Sequence, residues 1–228
     1  YCFCVFVFLI GEIMELLTKS NLKIEKSIDQ GYLTFILHLS PATLSGYETC
    51  PKRTIGCTES CLNTSGHGGM FKAGETTNKV QDARIRRTKL FFENRDLFLA
   101  QLSNDIVLAQ RQALKYNLNL AIRLNGTSDL SWERYGIIEQ FPEIQFYDYT
   151  KIRNRKVGHL SNYHLTFSKA ENNDLDVRLA LSEGFNVAIV FEKELPDTYL
   201  NRNVINGDLN DLRFLDPKNV IVGLVAKG

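Results

Sequence analysis

The sequence predicts an α/β protein: an open or partial (β/α) barrel of mostly parallel strands, with a long cysteine-bearing loop after the first strand. Three observations carry this. Strand-like runs alternate with helical ones from residue 31 to the end, a pattern that favours a parallel sheet covered by helices. About six runs read as strands. Neither GxGxxG nor GxxxxGK[ST] occurs, so the two common phosphate-loop folds lose their main sequence support.

The elements follow in order. Residues 31–40, GYLTFILHLS, alternate and are rich in β formers, which predicts a strand. Residues 41–79 read as one long loop rich in Gly, Ser, Thr and Asn. Loops of that length are uncommon in compact domains unless they are functional or anchored. From Asp82 to Tyr116 apolar residues recur at helical spacing, with a break expected near Ser103–Asn104. Residues 119–126 predict the second strand, and 128–141, opening on Ser128, a helix. Strands follow at 143–150 and 162–168, then a short helix from Asp174 that Gly184 stops. The last two strands are expected at 185–192 and 219–228.

Composition bounds the function. A chain of 228 residues supports one sizeable core, and residues 31–228 read as one barrel-like domain. Residues 1–30 read as an N-terminal extension. The first ten are wholly apolar but too few to span a bilayer, which needs about 20. Residues 1–13 are read as upstream translation before Met14, with a hydrophobic anchor or dimer contact as the alternative. A net charge of +1 gives no field that would attract nucleic acid or an acidic membrane, so neither is an expected partner. Six Lys/Arg occur within residues 72–89, among them Arg84 and Arg87 one helical turn apart. Such a run reads as a solvated helix face, with phosphate contact as the minor alternative. The sequons at Asn63 and Asn125 read as coincidental.

Three of the five cysteines, Cys50, Cys57 and Cys61, fall within twelve residues of the long loop. An odd total does not suit a set of paired bridges. The spacing is C-x6-C-x3-C, with no second C-x-x-C pair. Three thiolates can hold a 4Fe–4S cluster with one iron left open to water, substrate or cofactor. Zinc is the alternative, with His67 as the fourth ligand.

In parallel α/β folds ligands bind at the carboxyl ends of strands. Here those ends are polar: RLNGTSD, YDYTK and HLTFS. They supply His164 and Asp148 as candidate proton-transfer groups, with Lys151 beside them. Arg123 is the candidate anion holder. Asn125, Ser128, Asp129 and Ser168 would line the pocket for a small-molecule substrate.

Several long stretches resemble a known family. LSPATLSGYETCP, GCTESCLNTSG, ARIRRTKLFF, RLNGTSDLSWE, FYDYTK, NYHLTFS and DLRFLDPKNVIVGLVAKG together are similar to the gene-product-eighty-eight-like proteins of tailed phages and prophages. The resemblance runs from residue 31 to the end. It implies a phage-encoded protein working in the host bacterial cytoplasm, with virion association as the alternative, and it brings no defined activity. The three cysteines before an α/β barrel are also similar to the radical S-adenosylmethionine superfamily, whose usual spacing is C-x3-C-x2-C. That similarity implies S-adenosylmethionine at the open iron. The expected function is a cluster-dependent, esterase-like hydrolase with iron as Lewis acid; the alternatives are a radical S-adenosylmethionine enzyme and a non-enzymatic redox, structural or zinc-binding protein.

Overall fold

The structure is a computed structural model of the chain and describes residues 14–19, 27–59, 61 and 78–226. The reading of residues 1–13, and His67, lie outside these.

A nine-stranded sheet organises the described residues, in the order β1-β2-β3-β4-β5-β6-β9-β8-β7. Its strands are β1 (Leu17–Lys19), β2 (Tyr32–Leu37), β3 (Asn119–Arg123), β4 (Gln145–Thr150), β5 (Tyr163–Ser168), β6 (Val187–Phe191), β7 (Thr198–Tyr199), β8 (Arg202–Asn206) and β9 (Ile221–Val225). Strands β2 to β6, β9 and β8 pair in parallel. Only the edge strands β1 and β7 run antiparallel to their neighbours. The sheet is open, since β1 and β7 are its two edges. The six expected strands are all present. Of the three others, β1 and β7 have three and two residues, too short for an alternating pattern to register, and β8, RNVIN, has the length of β3, β6 and β9 but lacks their apolar run. β1 falls inside the stretch read as an extension, and Leu16 and Leu17 are buried in the core.

Four α-helices are bounded within the described residues: α1 (Ile55–Glu59), α2 (Lys79–Glu93), α3 (Arg95–Lys115) and α4 (Asp174–Ser182). The helical stretch breaks at Asn94, not at Ser103–Asn104. Asn94 closes α2 and caps α3, its side chain accepting from the Leu97 N–H. Ser103 and Asn104 lie inside α3 with side chains turned from the core, where polar residues cost a helix little. The expected helix over 128–141 is instead a run of turns with one 3-10 turn, Trp132–Arg134. Among its described residues the long loop carries α1.

Helices cover one face of the sheet. Leu33, Phe35, Leu37, Leu120, Ile122, Phe146 and Leu165 pack on Phe91 of α2 and on Phe98, Leu102 and Ile106 of α3. Phe167, Val187, Ile189 and Ile221 pack on Val177 and Leu181 of α4. Right-handed crossovers between neighbouring parallel strands put their connections on the same side. The opposite face is covered by residues 207–216, whose Leu212 and Phe214 pack on Ala121, Tyr147 and Tyr32.

Candidate active site

Strand alternation divides the expected site residues between the two faces. Arg123 and His164 project to the helix-free face. Tyr147 and His164 are register partners, and Ile122 pairs with Phe146, so Arg123, Tyr147 and His164 fall in one row. Ser168, two steps along from Thr166, alternates onto that face as well. Asp148 is the register partner of Leu165 and points the other way, among the helices.

On the helix side Asp148 is fully buried. Its Oδ1 accepts from the Asn125 main-chain N–H at 2.7 Å, and its Oδ2 from the Tyr163 hydroxyl at 2.8 Å. Burial lifts its pKa to about 7. Asn125 Oδ1 in turn accepts from Ser128 Oγ, the Leu130 N–H and Trp132 Nε1, at 2.9, 2.9 and 3.0 Å. Asp129 accepts from Thr150 Oγ1 at 2.7 Å and from the Lys151 N–H at 2.8 Å. Arg155 closes the network by donating to Glu133 at 2.7 and 2.5 Å and to Tyr163 at 2.9 Å. Asn125, Ser128, Asp129 and Asp148 therefore fold the β3–β4 connection around themselves, which explains why 128–141 is not a helix. These hydrogen bonds hold the floor of the carboxyl edge in place.

The cysteine segment lies across that edge. The Asp129 N–H donates to the Thr49 carbonyl at 2.8 Å, and Thr49 Oγ1 donates to the Ser40 carbonyl at 2.7 Å. Cys50 Sγ lies 3.9 Å from the Thr127 carbonyl. In α1 the Gly56 N–H donates to Glu171, in the loop after β5, at 2.9 Å. The three thiols are half-buried and none is in a disulfide. Burial raises the Cys50 thiol, and Cys61 and Asp129 add to it. Cys61 acts on both Cys50 and the buried Arg84. Among the described residues, no three His, Cys, Asp or Glu side chains stand close enough together to chelate a single metal ion. A cubane cluster spreads its thiolates over three irons and takes a wider set. The donor set fits it in type: three thiols outside any disulfide, with the Arg84 guanidinium interacting with that of Cys61.

His38, just past β2, has no part in the sequence-based site. It stacks against Gly126, where a Cβ would lie 2.5 Å from His38 Nδ1 and 2.6 Å from Ile36 Cγ2. Burial first, then Arg84, Arg123 and Arg87, lower its pKa to about 3, so the imidazole is neutral. Gly126→Ala is expected to destabilise the fold by about 1–3 kcal/mol through overpacking, which a urea midpoint would show.

Arg84 and Arg87 are both buried, and Arg87 Nε donates to the Glu15 carbonyl at 3.0 Å. The solvated face expected for these two residues is not what the helix presents.

His164 is also held neutral, its pKa lowered from 6.5 to about 4 by burial and by Arg213. Between those values the unfolded chain binds the proton and the folded chain does not. This contribution to stability is present above about 6.5 and is lost as pH falls toward 4. His164→Gln should therefore flatten the acid-side loss of stability. Urea unfolding at pH 7 and 4.5 checks this, and an unchanged difference between wild type and variant would refute it.

The residues that sequence reasoning passed over are Tyr147, Tyr149, Asp211, Arg213 and Asp216. Arg123 donates to Asp211 Oδ2 at 3.1 Å and stacks on Tyr149 at 4.7 Å, and Tyr149 donates to Asp211 Oδ1 at 3.2 Å. Arg213 Nε lies 3.4 Å from Asp216. The stretch DLRFLDPK carried the signal, as four charges set among apolar residues.

Among the described residues no helix is long and apolar enough to cross a membrane. No curated protein and no solved structure matches the chain. A family profile described as Gene product 88 matches residues 15–228, from the first edge strand through the cysteine segment to the last strand. The chain belongs to the Gene product 88 family.

Proposed function

We propose that this protein is a phage-encoded iron–sulfur enzyme of the host cytoplasm, with Cys50, Cys57 and Cys61 holding a 4Fe–4S cluster over the carboxyl edge of the sheet. The observation that carries the reading is the placement of the cysteine segment. It follows the first parallel strand and is tied to the loops after β3 and β5, where parallel α/β folds bind ligands. Bound there, such a cluster supplies one electron and one iron without a protein ligand.

The reaction best supported by this arrangement is radical chemistry with S-adenosylmethionine. Strands β2 to β6 in sequential parallel order, α2, α3 and α4 packed on one face and a three-cysteine segment after the first parallel strand together favour a partial (β/α) barrel of that kind. The protein's own residues position the cysteine segment through Thr49, Asp129 and Glu171, and Arg84 offsets thiolate charge.

Lewis-acid hydrolysis of an ester is the second reading. His164, neutral and on the helix-free face, favours it as a proton acceptor. Asp148 contributes less, since both its oxygens are engaged on the helix side.

The test is anaerobic reconstitution with iron and sulfide, followed by S-adenosylmethionine and a reductant. About four irons per chain and formation of 5′-deoxyadenosine are expected. Iron without deoxyadenosine, together with ester hydrolysis, would select the second reading. A colourless protein with one zinc would overturn both.

A further inference from the structure

Two polar networks lie on opposite faces of the sheet, and they differ in one respect. On the helix side Asn125, Asp129, Asp148 and Tyr163 all find partners. On the helix-free face five buried donor atoms have none: Thr34 Oγ1, Arg123 Nε, Tyr147 Oη, and both Nε and Nη1 of Arg213. Buried polar atoms are nearly always bonded, so five orphans on one face call for an explanation. All five can donate. Asp216 Oδ2 is the one orphaned acceptor nearby, poorly aimed at Arg213 Nε. An anion with several acceptor oxygens is the chemical complement of such a set.

The face already holds one carboxylate. Asp211 accepts from the Arg123 guanidinium and from the Tyr149 hydroxyl. It reaches them from residues 209–216, whose main-chain bonds close locally: Arg213 N–H to the Asp211 carbonyl, Leu215 to Leu212, and Asp216 to Arg213; the main chain is tied to the sheet just before this, where the Gly207 N–H donates to the Gly223 carbonyl at 2.8 Å. Side chains hold this segment on the sheet. They are Asp211, Leu212 against Ala121 and Tyr147, and Phe214 with ring centroids 5.0 Å from Tyr32 and 5.5 Å from Tyr147. Gly207 leaves room for the Arg213 guanidinium, since a Cβ there would lie 2.9 Å from Nη1.

We propose that Arg123, Tyr147 and Tyr149 form a binding site for a small carboxylic acid, and that Asp211 is its built-in occupant, exchanged for the ligand when residues 209–216 lift. The ligand carboxylate takes the Asp211 position on Arg123 and Tyr149. Its remaining acceptors take Arg123 Nε and the Tyr147 hydroxyl. His164, next to Tyr147 in the row, then faces the ligand as a neutral base. The site names the substrate class of the enzyme proposed above and rests on that reading in this respect alone. Iron content and carboxylate binding are measured separately, so either can fail without the other.

The experiment uses the full chain and acetate as probe. In Asp211→Ala, acetate should bind saturably and raise the melting temperature by roughly 5 °C at large excess over Kd. Chloride should not, and the Asp211→Ala/Arg123→Met double variant should lose the effect. In the wild type, amide hydrogen exchange of residues 209–216 should proceed by local opening, faster than exchange in β4 and β5. Acetate without effect on Asp211→Ala overturns the proposal. So does strap exchange that occurs only with global unfolding, because Asp211 is then a fixed structural ion pair. If Asp211→Ala fails to fold, Asp211→Asn with the same exchange measurement decides, with selectively faster exchange at 209–216 expected.

Discussion

Cys50→Ala should strip the protein of its iron. Cys50 Sγ lies 3.9 Å from the Thr127 carbonyl in the connection after β3, and Cys61 adds to the rise of its pKa. With one thiolate gone, two remain to hold a cluster that needs three, and iron and sulfide should fall from about four per chain to background. The broad absorption of the reconstituted protein should go with them. The fold should survive, because the anchors of the segment are Thr49, Asp129 and Glu171 rather than sulfur. Circular dichroism alongside the iron assay therefore separates ligand loss from unfolding. A folded Cys50→Ala protein that keeps its iron would sink the ligand assignment. Cys57→Ala, on α1, should behave in the same way.

Arg155→Met should be the most destabilising single change outside the core. The Arg155 side chain is 1% exposed and its partner Glu133 7%. It donates twice to Glu133, once to Tyr163, and lies 3.8 Å from Asp129. Methionine preserves much of the volume but leaves Glu133 buried without its counter-charge, which typically costs about 3–5 kcal/mol. Tyr163 also loses a partner while it bonds Asp148. The damage should reach the β3–β4 connection, because Asp148 fixes the Asn125 main chain. Urea unfolding of wild type, Arg155→Met and the Arg155→Met/Glu133→Gln double variant checks this. The double variant should recover part of the loss, since it removes the stranded charge. A midpoint within error of wild type for Arg155→Met would show that the pair is solvated after all.

The sequence by itself determined the α/β class and the parallel strands. It did so because a fully buried parallel strand is a local apolar run, and because alternating strands and helices leave few topologies. It also located Arg123 at the carboxyl end of β3, whereas His164, expected at a carboxyl end, is the second residue of β5 and lies near its amino end. The tertiary structure decided which strand-end residues share a face. Asp148 and Tyr149 are adjacent in sequence, yet the two-residue period of the strand sends one among the helices and the other toward Arg123. Asn125, Ser128 and Asp129 have the composition of a binding loop, and only their hydrogen bonds to Leu130, Trp132, Thr150 and Lys151 show that they organise the chain. The partner of Arg123 lies 88 positions away at Asp211, on a segment with no periodic pattern. Such a pairing is set by how the chain returns over the sheet, so no local pattern in the sequence encodes it.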